Sequence, residues 1–414
     1  MSHSNISKRT VLGLAAGSAA AALVRPAAGQ PAMNVKIGMV IPLSGPFATI
    51  GQTIKDGVDF GIEDVNRAGG IKSLNGAKLE LVAADAEDSP EKARNATQRL
   101  LSQEPDLIGG IGDALSGMTL VITELTERAE LPWTTQTLAD ALSERGFRYL
   151  FHVVHVASVQ AQLTLPTVIG MAKAATGKQP ATVAVISDTN QALQGIVKTW
   201  REGEFAKNNL KLLSERSYSP PLSDATQLIE EFRRSRPDFA FLMATTVSDA
   251  KLMIDKLNEF GIGRGKLPCF AFAGISGAPG LLNVVGAESL ENFCGIFSDW
   301  PGKRHEQLVE RFKARTGKPW MTGQAIEAYG QVMIYRDALE KAGVADRRKV
   351  AEEIRKMNST TGAAEFFNGS LRWDERGRRI DAGLVVVQWQ GGQPRAVYPT
   401  EIATAKAVWG GRLP

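Results

Sequence analysis

Val35 to Ile71 constrains the fold more than any other stretch, because it reads as one buried strand, one loop of small residues and one amphipathic helix in immediate succession. Val35, Ile37, Met39 and Ile41 lie in an almost unbroken apolar run, the pattern of a parallel strand covered on both faces. Pro42 ends the run. Ser44, Gly45, Gly51 and Thr53 form a loop at the strand's carboxyl end, where open α/β sheets bind ligands beside helix N-termini. Ile54, Val58, Ile62 and Val65 recur at helical spacing, and Gly69-Gly70 closes the helix.

The same alternation continues downstream. Leu79 to Ala84 reads as a second strand, and Ser89-Pro90-Glu91 opens a helix with cap, N1 proline and acidic first turn in place. Asp106 to Ile111 is a third strand, leading into a second loop of small residues that ends at Ser116, ahead of the helical run Leu120 to Ala129. Leu131 to Thr135 is a fourth strand, ending in the polar tract Thr134-Thr135-Gln136-Thr137. Phe147 to Val156 is extended and carries His152 and His155. The pattern then starts afresh, with strands expected at 182–187, 212–218, 238–244, 267–272 and 293–297. Three helical runs between Arg304 and Met357 follow, then late strands at 366–373 and 383–390 separated by Asp374-Glu-Arg-Gly, a turn sequence.

A chain of 414 residues exceeds what one core usually holds, so two domains are expected. The formal charge is +4. Lys8, Arg9 and Arg25 belong to a leader without acidic residues, so its removal leaves +1, which argues against a nucleic-acid partner. Ser7-Lys8-Arg9, the apolar run Val11 to Val24 and the small residues Ala27-Ala28-Gly29 have the form of a cleaved export signal over residues 1–29, too short in its apolar part for a membrane span. No cysteine stands near the cleavage region to carry a lipid.

The ordered set SGPFATIG, helix, N-x-x-GGI, then ITELTERAELPW, then LRWDERGRRIDAGLVVVQWQGGQPRAVYP resembles the leucine/isoleucine/valine-binding protein family, the substrate-binding components of bacterial ABC transporters. The resemblance spans roughly Val35 to Pro399. It implies an α/β, two-lobed type I periplasmic-binding fold, each lobe a mainly parallel sheet flanked by helices, crossed by the chain three times. The first lobe is expected from 35–153 plus 299–357, the second from 157–298 plus 366–400. The implied role is that of a periplasmic, monomeric receptor that holds a small molecule between its lobes and delivers it to an ABC permease and ATPase complex. A ligand sensor of the same fold is the alternative, since fold alone does not fix function.

An enzyme would need a constellation of reactive groups, and none is legible. The histidines form no H-E-x-x-H arrangement, Gly274-Ile-Ser-Gly lacks nucleophile-elbow spacing, and Gly110-Ile-Gly112 lacks the third glycine of a dinucleotide fingerprint. Two distributed cysteines fit no zinc site, so neither metal nor cofactor is expected. Cys269 and Cys294 fall near strands expected to be neighbours, and a disulfide between them and two buried thiols are both open.

The resemblance also implies site residues. Ser116 matches the serine that binds the ligand carboxylate at a helix N-terminus, a role compatible with plain capping. Thr135, Gln136 and Thr137 match the second ligand loop, although the threonine expected next is Leu138. Phe47 and Ile50 would wall the pocket or pack in their loop. Asp113 would face a cation or cap a helix, the cap being favoured, and Asp188 reads as structural. In the second lobe Thr245 and Thr246 end a strand at the cleft edge. Ala192 replaces the family's cleft aromatic, and Ala273 stands where amino-acid binders carry the acid that pairs with the ligand ammonium.

Overall fold

The computed structural model describes residues 34–410 except Ala273; the export signal expected over 1–29 and the position of Ala273 lie outside the described residues. Two sheets organise the chain. The first joins β1 (Val35–Ile41), β2 (Leu79–Asp85), β3 (Gly109–Ile111), β4 (Trp133–Thr135) and β5 (Leu150–His152), all parallel, in the order β2-β1-β3-β4-β5. Ile37, Met39 and Ile41 of β1 face one core with the helices Ala48–Arg67 and Gly323–Ala342, while Val40 faces a second with the helices Pro90–Gln103 and Ser116–Arg128. Burial on both faces is why the run carries no polar alternation. The two helices on the first face approach closely at Gly57, where a Cβ would stand 2.3 Å from the Ala325 carbonyl oxygen.

The second sheet contains β6 (Thr182–Asp188), β7 (Lys211–Tyr218), β8 (Phe239–Met243), β9 (Cys269–Phe272) and β10 (Cys294–Phe297). Two short strands then pair off the main sheets, β11 (Asn358–Ser359) with β12 (Leu371–Arg372), before β13 (Val385–Gln390) and β14 (Gln393–Tyr398) return to the second sheet. Its order is β14-β13-β10-β9-β8-β6-β7, parallel from β7 to β10 and antiparallel through β13 and β14. Each lobe is therefore an α/β unit with a mainly parallel sheet between helix layers.

Two expectations change. The third crossing comes later than the late strands suggested, because Phe367, Leu371 and Trp373 pack in the first lobe's core. The Asp374–Gly377 turn closes only a local Trp373–Arg379 bridge, and Val385–Gln390 pairs with β10 and β14 instead. Cys269 and Cys294 are both free and buried. Cys294 is level with Phe270, one residue out of step with Cys269, so the two thiols project into the cores on opposite faces of the sheet. Burial raises both thiol pKa values.

Candidate functional site

The carboxyl ends of β1, β3 and β4 carry three loops on one edge of the first sheet. The loop after β1 folds back tightly: a Cβ on Gly51 would fall 1.6 Å from the Pro42 carbonyl oxygen, so only glycine lets the first helical turn lie against the strand end. Asp85, at the end of β2, accepts the Leu43 N–H at 2.8 Å and fixes the start of this loop. Phe47 and Ile50 are half-buried and lean on different cores, Phe47 on the second helix layer and Ile50 on the first.

After β3 the chain turns through Gly112, at φ +131°, and begins a helix at Ser116. The helix thus starts four residues before the apolar run at Leu120. Its N-cap is Leu115, with no side-chain cap bond, so Ser116 is the first helical residue and not the cap. Freed from capping, the Ser116 hydroxyl lies 2.9 Å from that of Thr137, which joins the β3 and β4 loops. The N–H groups of Ser116 and Gly117 precede any carbonyl within the helix that could accept them, so the positive end of a 13-residue helix lies beside this hydroxyl pair.

The neighbouring residues are turned inward. The Thr135 hydroxyl donates to the Asp113 carbonyl at 2.7 Å and accepts the Thr137 N–H at 3.2 Å, so it braces the loop and is fully buried. Gln136 donates its amide to the Gln324 carbonyl at 3.1 Å and to Gln331 Oε1 at 3.0 Å, reaching away from the hydroxyl pair to the long helix behind the sheet. Gln331 in turn donates to Thr134 Oγ1 at 2.9 Å. His152 bonds the Thr137 carbonyl at 3.2 Å through Nδ1, and burial holds its pKa down at about 4, so the ring is neutral and Nδ1 is the donor. Tyr335 ties the Gly110 and Pro132 carbonyls at 2.6 and 2.8 Å beneath the same loops.

Asp113 is neither exposed nor a cap of the expected kind. Its Oδ1 accepts the N–H groups of Ala114 and Leu115, just ahead of the helix, while Oδ2 is buried without a partner. Burial pushes its pKa up to about 7, against the lowering effect of the two backbone donors.

In the second lobe, Asp188 ends β6 and is structural: Oδ1 accepts the Asn190 N–H at 2.9 Å and Oδ2 accepts both the N–H and the hydroxyl of Thr245, at 2.7 and 2.6 Å. The Thr245 hydroxyl proton is therefore committed to Asp188. Thr246 caps the helix Val247–Glu259 by accepting the Asp249 N–H at 3.2 Å. Gln194 spans Ser187 Oγ, the Asp188 carbonyl and Ser217 Oγ at 3.0, 2.7 and 3.1 Å, knitting the ends of β6 and β7 together.

The family model described as periplasmic binding protein matches residues 34–393. The chain belongs to the periplasmic binding protein family. Among relatives of this periplasmic binding protein, a Leu/Ile/Val-binding protein homolog 7 of Brucella suis is 25% identical over 388 residues, covering 90% of this chain and 93% of its own. Among solved structures, the branched-chain amino acid transporter substrate-binding protein of Streptococcus pneumoniae in complex with isoleucine superposes with a TM-score of 0.72 at 18% identity, over 87% of this chain and 97% of its own. A solute-binding protein of an ABC transporter from R. palustris in complex with benzoate gives 0.66 at 16% identity, over 92% and 99%. The type I periplasmic-binding architecture is thus established, and the family and fold are those of substrate-binding proteins. Among the described residues no helix is long and apolar enough to cross a membrane, and no group of His, Cys, Asp and Glu is arranged to hold a metal ion.

Sequence reading of this periplasmic binding protein brought Ser116 and Thr137 to one place and missed what supports them. His152, Gln331 and Tyr335 are 15, 195 and 225 residues from the loop atoms or side chains they hold. Polar residues in otherwise apolar surroundings were the only signal available for them, most plainly the Gln331 and Tyr335 pair four apart on one buried helix.

Proposed function

We propose that this chain is the extracytoplasmic receptor of an ABC importer, capturing a small carboxylate between its lobes and delivering it as a monomer to a membrane permease and its ATPase. The observation that carries this reading is the Ser116–Thr137 hydroxyl pair at a helix N-terminus, a group of donors suited to an anion. The ligand is first held by lobe one and then by lobe two, and it favours closure only by its greater affinity for the closed form.

The ligand class follows from what lobe two lacks. Ala273 stands in place of the acid that pairs with an ammonium in amino-acid binders, Ala192 in place of the aromatic, and the Thr245 hydroxyl is committed to Asp188. Burying an unpaired ammonium costs several kcal/mol. We therefore favour a carboxylate without an α-amino group, an aromatic or branched organic acid, over leucine, isoleucine or valine. The benzoate held by the R. palustris protein supports this class, while the isoleucine held by the S. pneumoniae protein supports the competing amino-acid class, which the screen below separates from it.

A thermal-shift screen setting leucine, isoleucine, valine and phenylalanine against their deaminated analogues and benzoate tests the class. Stabilisation by organic acids alone is expected; a clear shift with leucine or valine and none with any organic acid overturns it. Export is tested by mass spectrometry of the periplasmic fraction, where a chain starting near Gln30 to Met33 is expected and an intact Met1 on soluble protein rejects it.

A further inference from the structure

The three connections between the lobes converge on one side chain. Arg379 is wholly buried, and its guanidinium reaches every connection. Nη1 donates to the Val153 carbonyl of the first crossing at 3.0 Å and to Asp299 Oδ2 of the second at 2.8 Å. Nε donates to the Ser370 carbonyl at 3.2 Å and Nη2 to the Asn368 carbonyl, both on the segment that enters the third. The guanidinium carbon lies over the Phe367 ring, 4.9 Å from its centroid.

The surrounding groups complete the junction. The second oxygen of Asp299 accepts the Asn368 N–H. His155, in the first crossing, places Nδ1 3.3 Å from Ser298 Oγ and Nε2 3.0 Å from the Ala382 carbonyl. A carbonyl only accepts, so Nε2 carries the proton and Nδ1 accepts from the serine; burial and the nearby Arg379 charge lower the ring's pKa to about 4. Glu327, on the helix packed against Asp299, is also buried, and burial raises the pKa of both carboxyl groups. One guanidinium therefore serves a pocket that holds two buried carboxyl groups, and only Asp299 is bonded to it.

A buried ion pair is weak evidence for stability, since apolar side chains of similar volume often serve as well. What a guanidinium adds is direction: its donors are fixed in one plane, so acceptors on three separate segments satisfy it at only a narrow range of relative positions. Rotation of one lobe against the other moves these segments relative to each other. We propose that Arg379 is a positioning residue for lobe closure, setting the resting angle between the lobes and so the part of the binding free energy that closure consumes. The proposal rests on the closure reading above, yet its first test needs no ligand.

Spin labels at exposed Asn95 of lobe one and Gln227 of lobe two, introduced as Asn95→Cys and Gln227→Cys, give the interlobe distance distribution by pulsed electron resonance; the native thiols are buried. Three proteins are compared: wild type, Arg379→Lys, and the apolar exchange Asp299→Leu with Arg379→Met. The apolar exchange leaves the Val153, Asn368 and Ser370 carbonyls and the Asn368 N–H without their side-chain partners, so its melting temperature falls, and its ligand-free distribution is expected to become roughly twofold wider, with Arg379→Lys between the two. A role confined to stability predicts instead a lowered melting temperature with the wild-type width in protein still folded at the measuring temperature, and that outcome overturns the proposal. Should the apolar exchange not fold, Arg379→Lys alone decides, by width against an unchanged circular-dichroism spectrum. Titration of the same proteins with benzoate and with leucine then reads affinity separately: a widened distribution with neither probe bound refutes the ligand class and leaves the hinge assignment standing.

Discussion

Thr137→Val and Ser116→Ala give the most direct test of the site, because the 2.9 Å contact between the two hydroxyls fixes how many protons they can offer. Each hydroxyl has one proton, and one of the two is used in their mutual hydrogen bond. The pair therefore presents a single O–H to a ligand, whichever residue supplies it. A hydrogen bond to a charged acceptor contributes about 1.5–3 kcal/mol, which corresponds to roughly ten- to a hundredfold in dissociation constant. The residue whose proton points at the ligand should lose that amount when truncated, and its partner less, since removing the partner mainly unfixes the donor's orientation. The double variant has no hydroxyl left, and it should match the more damaging single variant. Isothermal titration with the carboxylate that gives the largest thermal shift measures all four affinities. If the two single penalties simply add in the double variant, each hydroxyl donates to the ligand independently, and the shared-proton argument is wrong.

Other consequences follow from the same geometry. Asp113 lies in the loop ahead of Ser116, beside the proposed anion site, with one oxygen unpartnered and a pKa near 7, so it is neutral below that pH and adds a repelling charge above it; carboxylate affinity should strengthen as pH falls through about 7, and Asp113→Asn should flatten the profile. His152 and His155 are held neutral to about pH 4 while the unfolded chain takes up protons near pH 6.5, so the unfolded state binds more protons in that window and stability falls with pH across it, by about 3 kcal/mol for each ring at the lower end. Urea titrations at pH 7, 6 and 5 check this, and a flat profile rejects it. Tyr335→Phe removes a hydroxyl that bonds the Gly110 N–H and the Gly110 and Pro132 carbonyls, but Gly110 N–H still bonds Pro132, so a loss of about 1–2 kcal/mol is expected in place of the larger cost of orphaned groups; a loss well above that shows the strand ends depend on the hydroxyl. Thiol labelling of unreduced protein should find Cys269 and Cys294 unreactive when folded and two free thiols when unfolded.

Local pattern determined the elements. An apolar run such as Val35–Ile41 between a polar segment and Pro42 is a strand with two covered faces wherever it is placed, and the helical spacing from Ile54 to Val65 selects the face it buries. Two successive rounds of that alternation in a chain of this length imply two domains, and the family resemblance implies that the chain crosses between them three times. Ser116 was named as a candidate because the resemblance places a serine there, at a strand's carboxyl end where a helix N-terminus favours an anion. Periodicity says nothing about which distant groups a side chain will meet. Whether Thr135 and Gln136 face the cleft or the core depends on Asp113, Gln324 and Gln331, and whether Thr245 is free depends on Asp188, 57 residues away. The register between β9 and β10, one residue out of step at the cysteines, decided against a bridge that strand adjacency alone allowed. Arg379 reads in the sequence as one of two arginines following a turn; only the convergence of Val153, Asp299, Asn368 and Ser370 on it makes it the centre of the hinge, because a buried charge is placed by its partners and those lie on three separate passes of the chain.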